Sequence, residues 1–435
     1  MRPTLIRGGL LIDGTGGAPL PDSAVLIHDD RIVAVGPSHA VGQPDNAQVI
    51  DAGGMVVMPG LIDAHVHLMH ASEHTAPMYL RAGVTTVRDT GGALSEVVAW
   101  RAAQQAGTRK GPRLLFCGPI IDLAPPIHPA VTAIIDSPES ATETVDEIAA
   151  AGAWGIKIYA QIPPDLTRTI IARAREHGLP ATGDLGATRA SEAIDAGIYS
   201  LEHASVAYQD LVPIEQQVGF DFFHIHGAAE WRRDWNRGMA EVDATGPRVQ
   251  QLARQFADSG VFLDPTLVVV ERLSRITDPD VTDGPGVAEM PESVRSGWEA
   301  RAAGRRDTWL AEDFVHARRA FEVSVAFTAE VRRAGGKLLV GSDAPNPFVV
   351  PGVSLHRELE LLVGAGMSPM EALVAATRGN AEALGLSGDL GTLAPGKLAD
   401  VVLLDANPLE DITNSQRVKV VLQAGKVVAE TAPSV

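Results

Sequence analysis

Cysteine is almost absent from this chain. Cys117 stands alone in 435 residues, which excludes an internal disulfide framework and a cysteine-rich zinc site. Basic residues are also in deficit: Lys and Arg number 36 against 54 Asp and Glu, a formal charge of −18. That balance argues against a nucleic-acid binder or a protein of anionic membrane surfaces, because both need a cationic face. No apolar run reaches the ~18 residues of a spanning helix. The start, Met1-Arg-Pro-Thr-Leu-Ile-Arg-Gly-Gly9, has none of signal-peptide length. The expectation is a cytoplasmic protein with a small-molecule substrate. A P-loop, a Gly-x-Ser-x-Gly elbow and a His-Glu-x-x-His helix are all missing.

What is present has a globular composition, 45% hydrophobic and 21% charged, in enough chain for two or three domains. Before Pro59, short apolar runs such as Ala24-Val-Leu-Ile27 and Arg31-Ile-Val-Ala-Val35 alternate with Gly, Pro and Asp turn signals, a β texture. The segment from about Gly391 reads the same way. Each end is too short for a stable sheet of its own, so the two should pair, with the middle inserted between them. The expected division is 1–58 and 386–435 for the two halves of a small β-sandwich and 59–385 for a catalytic domain.

In the middle, apolar strands alternate with helical patterns. Strands are expected at Leu61–His67, Thr85–Asp89, Arg113–Gly118, Gly155–Tyr159, Pro180–Asp184, Ser200–His203, Val261–Thr266 and Lys337–Ser342. Helices are expected at Glu143–Ala151, Leu166–His177 and Arg189–Ala196, each followed by a capping Gly. Eight such units suit an α/β fold of the (β/α)8 TIM-barrel type. A doubly wound dinucleotide-binding sheet would want a Gly-rich turn after an early strand, and none occurs. The two longest connections, before and after Val261–Thr266, hold Trp231, Trp235, Trp298 and Trp309 and read as lids, substrate loops or extra external helices.

The strand ends carry the chemistry. In Pro59-Gly-Leu-Ile-Asp-Ala-His65-Val-His67, alternate residues share a strand face, so two imidazoles project together where a barrel has its mouth. Alone, the pair reads equally as packing histidines or as a grip for a transition metal. Three further strand ends shift the balance. Lys157 interrupts the apolar Gly155-Ile-Lys-Ile-Tyr159, where a buried unpaired ammonium must be paired, neutralised or modified. His203 ends Ser200-Leu-Glu-His203, and Asp343 follows Leu338-Leu-Val-Gly-Ser342. Four strand ends each offering a metal-competent side chain make one site.

Pro59-Gly-Leu-Ile-Asp-Ala-His-Val-His67, Gly341-Ser-Asp-Ala-Pro345 and Gly391-Thr-Leu-Ala-Pro-Gly-Lys-Leu-Ala-Asp400 resemble the amidohydrolase superfamily, most closely its imidazolonepropionase and Xaa-Pro dipeptidase-like branch. The resemblance covers essentially the whole chain. It implies a binuclear metal centre in a hydrolase that cleaves amide-type C–N bonds of a peptide, N-acyl amino acid or cyclic amide with metal-activated hydroxide. By it, His65 and His67 bind one ion with Asp343 beside them. Lys157 is N-carboxylated by CO2 and bridges two ions, and His203 binds the second. One or two divalent ions are implied, zinc first, with manganese or iron as alternatives. Asp343 then serves as general base and later as general acid. Enzymes of the superfamily are often oligomeric, which implies a homo-oligomer. Ester or lactone hydrolysis, or a lyase or decarboxylase reaction in the same pocket, are alternatives.

One position departs from the pattern. Related sequences end the fifth strand in a histidine ligand, whereas this chain has Thr182-Gly-Asp184-Leu-Gly186. Asp184 can still coordinate, or can weaken the second position and leave a catalytically impaired metal-binding homologue, or can be an engineered change that traps substrate. Substrate contacts are expected from Arg88, Tyr159, His128 and His226. Of these, Arg88, next to Asp89, can instead form a buried ion pair, and Tyr159 can pack. His226, with His224, belongs to a second His-x-His, while His70 and His74 follow the first strand at helical spacing.

Overall fold

The computed structural model describes residues 2–68 and 72–430. Both chain ends enter one eight-stranded sheet. The N-terminal part supplies β1 (Thr4–Leu11), β2 (Leu20–His28), β3 (Arg31–Pro37), β4 (Gln48–Asp51) and β5 (Val56–Pro59). The C-terminal part supplies β16 (Val401–Leu404), β17 (Val418–Gln423) and β18 (Lys426–Glu430). The join is the antiparallel pair β5 with β16, with Val57 opposite Leu403. Ile6, Val25, Ile27, Val57, Val401 and Leu403 form a small core of their own against this sheet. Neither end could bury that surface alone, which is why the pairing expected from the sequence holds.

The middle forms two parallel sheets. One is β6 (Leu61–Val66), β7 (Val84–Asp89) and β8 (Arg113–Phe116). The other has seven strands in the order β10-β9-β11-β12-β13-β14-β15. These are β9 (Ile120–Asp122), β10 (Thr132–Ile134), β11 (Ile156–Ile158), β12 (Ala181–Gly183), β13 (Ser200–Glu202), β14 (Phe262–Asp264) and β15 (Lys337–Leu338). Backbone hydrogen bonds tie the two sheets at both margins. Trp154 N donates to Phe116 O at 2.7 Å on one side. On the other, Ala64 N donates to Val340 O, Asp343 N to His65 O and His67 N to Ala344 O, at 3.0, 2.7 and 2.8 Å. Every residue of β6, β7, β11, β12 and β13 is buried, as parallel strands covered on both faces require.

Each expected strand is found, with two differences. The β15 ladder stops at Leu338; Leu339 N still donates to Leu263 O of β14, and Val340–Asp343 continue by bonding β6. β9 and β10 form between two of the expected strands, where no strand was expected, and extend the sheet beside β11. The three named helices also form. Pro138–Ala150 starts on a Ser137 cap, whose hydroxyl accepts from Ser140 N, and buries Ala141, Val145 and Ile148 along one face. Gly178 (φ 70) and Gly197 (φ 83) turn the chain out of the next two helices, in a left-handed conformation that costs glycine least.

The long connections are helical. Between β13 and β14 lie Phe220–His226, Ala228–Ala240 and Pro247–Ser259; after β14 come Leu267–Ser274, Glu292–Thr308 and Ala311–Arg333. No described helix is long and apolar enough to cross a membrane. His70 lies outside the described residues, and His74 falls in the helix Ser72–Arg81.

Candidate metal centre and its cavity

The C-terminal ends of β6, β11, β12 and β13 and the turn after Ser342 open on one cavity of about 750 Å³, which His67, Lys157, Asp184, His203 and Asp343 all line. The sequence-predicted ligands therefore converge, though they are far apart in the chain.

His65 sits directly below, with no solvent exposure. Its Nδ1 donates to Glu202 Oε2 at 2.7 Å, which fixes the tautomer and leaves Nε2 as a free acceptor. Burial, then the charge of Lys157, pushes the His65 pKa down to about 3, so the ring is neutral and fit to be a metal ligand. His65 Nε2 lies 3.4 Å and His67 Nε2 3.0 Å from one oxygen, Asp343 Oδ1. Burial opposes ionisation of Asp343, but His203, His65 and His67 outweigh it and hold the carboxyl below its usual range.

Ligand atoms of His65, His67 and Asp343 all lie within 4.8 Å of one another. His65 Nε2 and the nearby Lys157 Nζ are buried with no hydrogen-bond partner among the described residues. Orphaned polar atoms of that kind are costly, and a divalent cation is the partner that their number and type fit. His203 stands on the other side of Asp343, with Nδ1 3.8 Å from Oδ2 and 2.7 Å from the Thr266 hydroxyl. Its Nε2 is 3.6 Å from Asp184 Oδ2. His203 (φ 66), Thr266 (φ 40) and Asp343 (φ 63) all have left-handed backbones, uncommon for residues with a Cβ and concentrated here at strand ends that aim side chains inward.

A second group, His65, Glu202 and Asp264, also lies within 4.8 Å. Its cation is already present. Arg88 Nη2 lies 3.1 Å from Glu202 Oε1 and 3.4 Å from Asp264 Oδ2, and Nε donates to the Ala64 carbonyl. Burial raises the Glu202 pKa, but Arg88, Lys157 and His65 overcome it and keep the group ionised. Asp264, raised by burial and by the Glu202 charge, holds its proton.

This corrects the expectation of substrate contact for Arg88: it has no exposure and lies beneath the cavity, where its guanidinium is spent on Glu202 and Asp264. His226 is corrected too. It is exposed, stacks on Phe222 at 4.2 Å and does not line the cavity. His224 bonds Gln161 Oε1 instead. His128 and Tyr159 do line the cavity, joined by a 3.0 Å hydrogen bond between Nε2 and Oη. Burial, then Asp184, raises the Tyr159 phenol, which stays protonated and able to donate.

Sequence reasoning missed Glu202 and Asp264, although each is an acid inside an apolar strand, the signal used for Lys157. It also missed Arg232, Arg301 and Arg305, which line the cavity with Trp231, Trp235 and Trp298. Trp309 packs behind them, its Nε1 donating to Ala229 O.

The model of the amidohydrolase family matches residues 56–428. An imidazolonepropionase of Symbiobacterium thermophilum is 28% identical over 93% of this chain and 92% of its own. Among solved structures, a putative prolidase from Bifidobacterium longum superposes with a TM-score of 0.72 at 27% identity, covering 100% of this chain and 96% of that one. The bottromycin amidohydrolase gives 0.75 at 24% identity, with 98% and 87% covered, which speaks for the fold alone.

Proposed function

The chain belongs to the amidohydrolase family and is a hydrolase acting on C–N bonds, and we propose that it cleaves an amide-type bond in a peptide, N-acyl amino acid or cyclic amide at a divalent metal centre. The two parallel sheets, with β9 and β10 set aside as additions, are read as one eight-stranded barrel, and the sheet of the chain ends as the small β-sandwich, with domain limits at 58 and 386. A cytoplasmic homo-oligomer without nucleic-acid or membrane partners is the proposed setting.

The observation that carries this reading is the approach of His65 Nε2 and His67 Nε2 to Asp343 Oδ1 beside orphaned buried atoms in an open cavity. His65, His67 and Asp343 would hold one ion, zinc in first place. Lys157 as its carbamate, with His203 and Asp184, would hold a second. Carboxylation turns a buried, unpartnered ammonium into an anionic oxygen ligand and removes the penalty of its burial. Bound there, the metal supplies Lewis acidity, polarising the carbonyl and acidifying water. Asp343, held ionised, takes the proton of the attacking water and passes it to the departing nitrogen. The protonated Tyr159 donates to the carbonyl oxygen as negative charge develops there.

A hydrolysis screen of zinc- and manganese-loaded protein across dipeptides, N-acyl amino acids, cyclic amides and lactones tests the reading. Amide turnover that disappears in Asp343→Asn while metal is retained supports it. Tight metal binding with no turnover of any carbonyl substrate would leave a metal-binding homologue, and lactones as the sole substrates would make the enzyme an esterase-type hydrolase.

A further inference from the structure

Three guanidiniums line the cavity without a carboxylate partner among the described residues: Arg232 on Ala228–Ala240, and Arg301 and Arg305 on Glu292–Thr308. Arg232 lies over Trp231 and Trp235, 4.9 and 5.1 Å from the ring centroids. Arg305, 8% exposed, lies 4.8 Å over Trp309 and donates to the Leu273 carbonyl. Rings and a carbonyl orient Arg232 and Arg305, and Arg301 is exposed at the cavity margin; none of these contacts compensates the charge.

Three other arginines find carboxylates: Arg88 pairs with Glu202, Arg237 with Asp313, and Arg357 with Glu271. In a protein of formal charge −18, three guanidiniums gathered on one cavity without a carboxylate partner among the described residues suit an anion. The groups also feel one another. Arg305 is held down at about 9 by burial first, then by Arg232 and Arg301. Arg232 is lowered by burial and by Arg301, while Asp184 and Tyr159 favour its charge. The cationic wall therefore stands within electrostatic reach of the metal end, whose one acid near Arg232, Asp184, lies beside His203.

We propose that Arg232, Arg301 and Arg305 form an anion-binding wall that receives the carboxylates of a substrate whose scissile amide lies at the metal centre, and that it favours a dicarboxylate end over a monocarboxylate. This rests on the hydrolase reading above for the position of the amide, but not for the binding of the anion. Guanidinium forks match carboxylates in a bidentate geometry, and three of them leave positive charge unanswered by one carboxylate.

The test is titration calorimetry on the purified metal-loaded protein with glutarate, butyrate and the neutral glutaramide. Glutarate should bind roughly tenfold or more tightly than butyrate, and glutaramide far more weakly than either. Arg232→Ala and Arg301→Ala should each cost glutarate about tenfold, with Arg301→Lys recovering part of the loss. Carboxylates also bind metals, so acetohydroxamate, aimed at the metal end, is titrated into the same variants and should bind as in the wild type. Equal binding of glutarate and glutaramide, or glutarate affinity unchanged in both alanine variants, overturns the wall. Arginine-dependent glutarate binding in a protein that cleaves no amide keeps the wall and removes the hydrolase reading. An N-acyl dicarboxylate cleaved with equal kcat/KM by wild type and both variants removes the wall and keeps the hydrolase reading.

Discussion

Glu202 Oε2 accepts a 2.7 Å hydrogen bond from His65 Nδ1, and neither side chain has any exposure to solvent. A carboxylate behind a ligating imidazole sets the tautomer, stiffens the ring and raises its basicity toward the metal. Glu202→Gln keeps the volume but removes the charge that also answers Arg88. Chelator-competition titrations should show metal affinity reduced about 10–100-fold. Unchanged affinity would mean that His65 is not a ligand.

Asp63 joins β6 to the end of the eighth strand. Its carboxylate accepts from Ser342 N at 2.9 Å, Ser342 Oγ at 2.6 Å and His65 N at 3.2 Å. Asp63→Ala leaves three buried donors unanswered at the join that positions both His65 and Asp343. Thermal or denaturant unfolding should show a loss of roughly 2–5 kcal/mol.

Glu358 gives a pH signature. It is buried, its Oε2 accepts from Val268 N at 2.7 Å, and burial pushes its pKa up from 4.5 to about 8. Between those values the folded chain keeps a proton that the unfolded chain has released. Its contribution to stability is therefore fully present below pH about 4.5 and is lost as pH rises through about 8. Glu358→Gln cannot ionise, so its stability relative to wild type should rise across that window and level off above it. Unfolding curves of the two proteins at a series of pH values check the sign. A difference that stays flat with pH would contradict it.

Asp184 decides the second position. Asp184→Ala removes the carboxylate 3.6 Å from His203 Nε2. Metal analysis should show one of two ions lost while the ion at His65 and His67 stays. A stoichiometry that does not change would mean Asp184 ligates nothing.

Strand ends were legible because a strand has a two-residue period and a buried parallel sheet tolerates few polar residues. His65, His67, Lys157, His203 and Asp343 therefore announced themselves. The same rule applies to Glu202 and Asp264, acids inside the apolar strands β13 and β14. Arg88 was seen as a site residue and given the wrong address, since nothing local tells whether a strand residue points up into the cavity or across the interior to other strands. Arg232, Arg301 and Arg305 gave no signal at all. They sit on helices of the long connections, and which helix face meets the cavity depends on packing between elements remote in sequence.

The most direct test is an anomalous-diffraction map of crystals grown or soaked with zinc or manganese. The account predicts a metal peak bounded by His65 Nε2, His67 Nε2 and Asp343, and density for a carbamate extending from Lys157 Nζ. A map from metal-soaked crystals with no peak at these residues, and with Lys157 a plain amine, would contradict it.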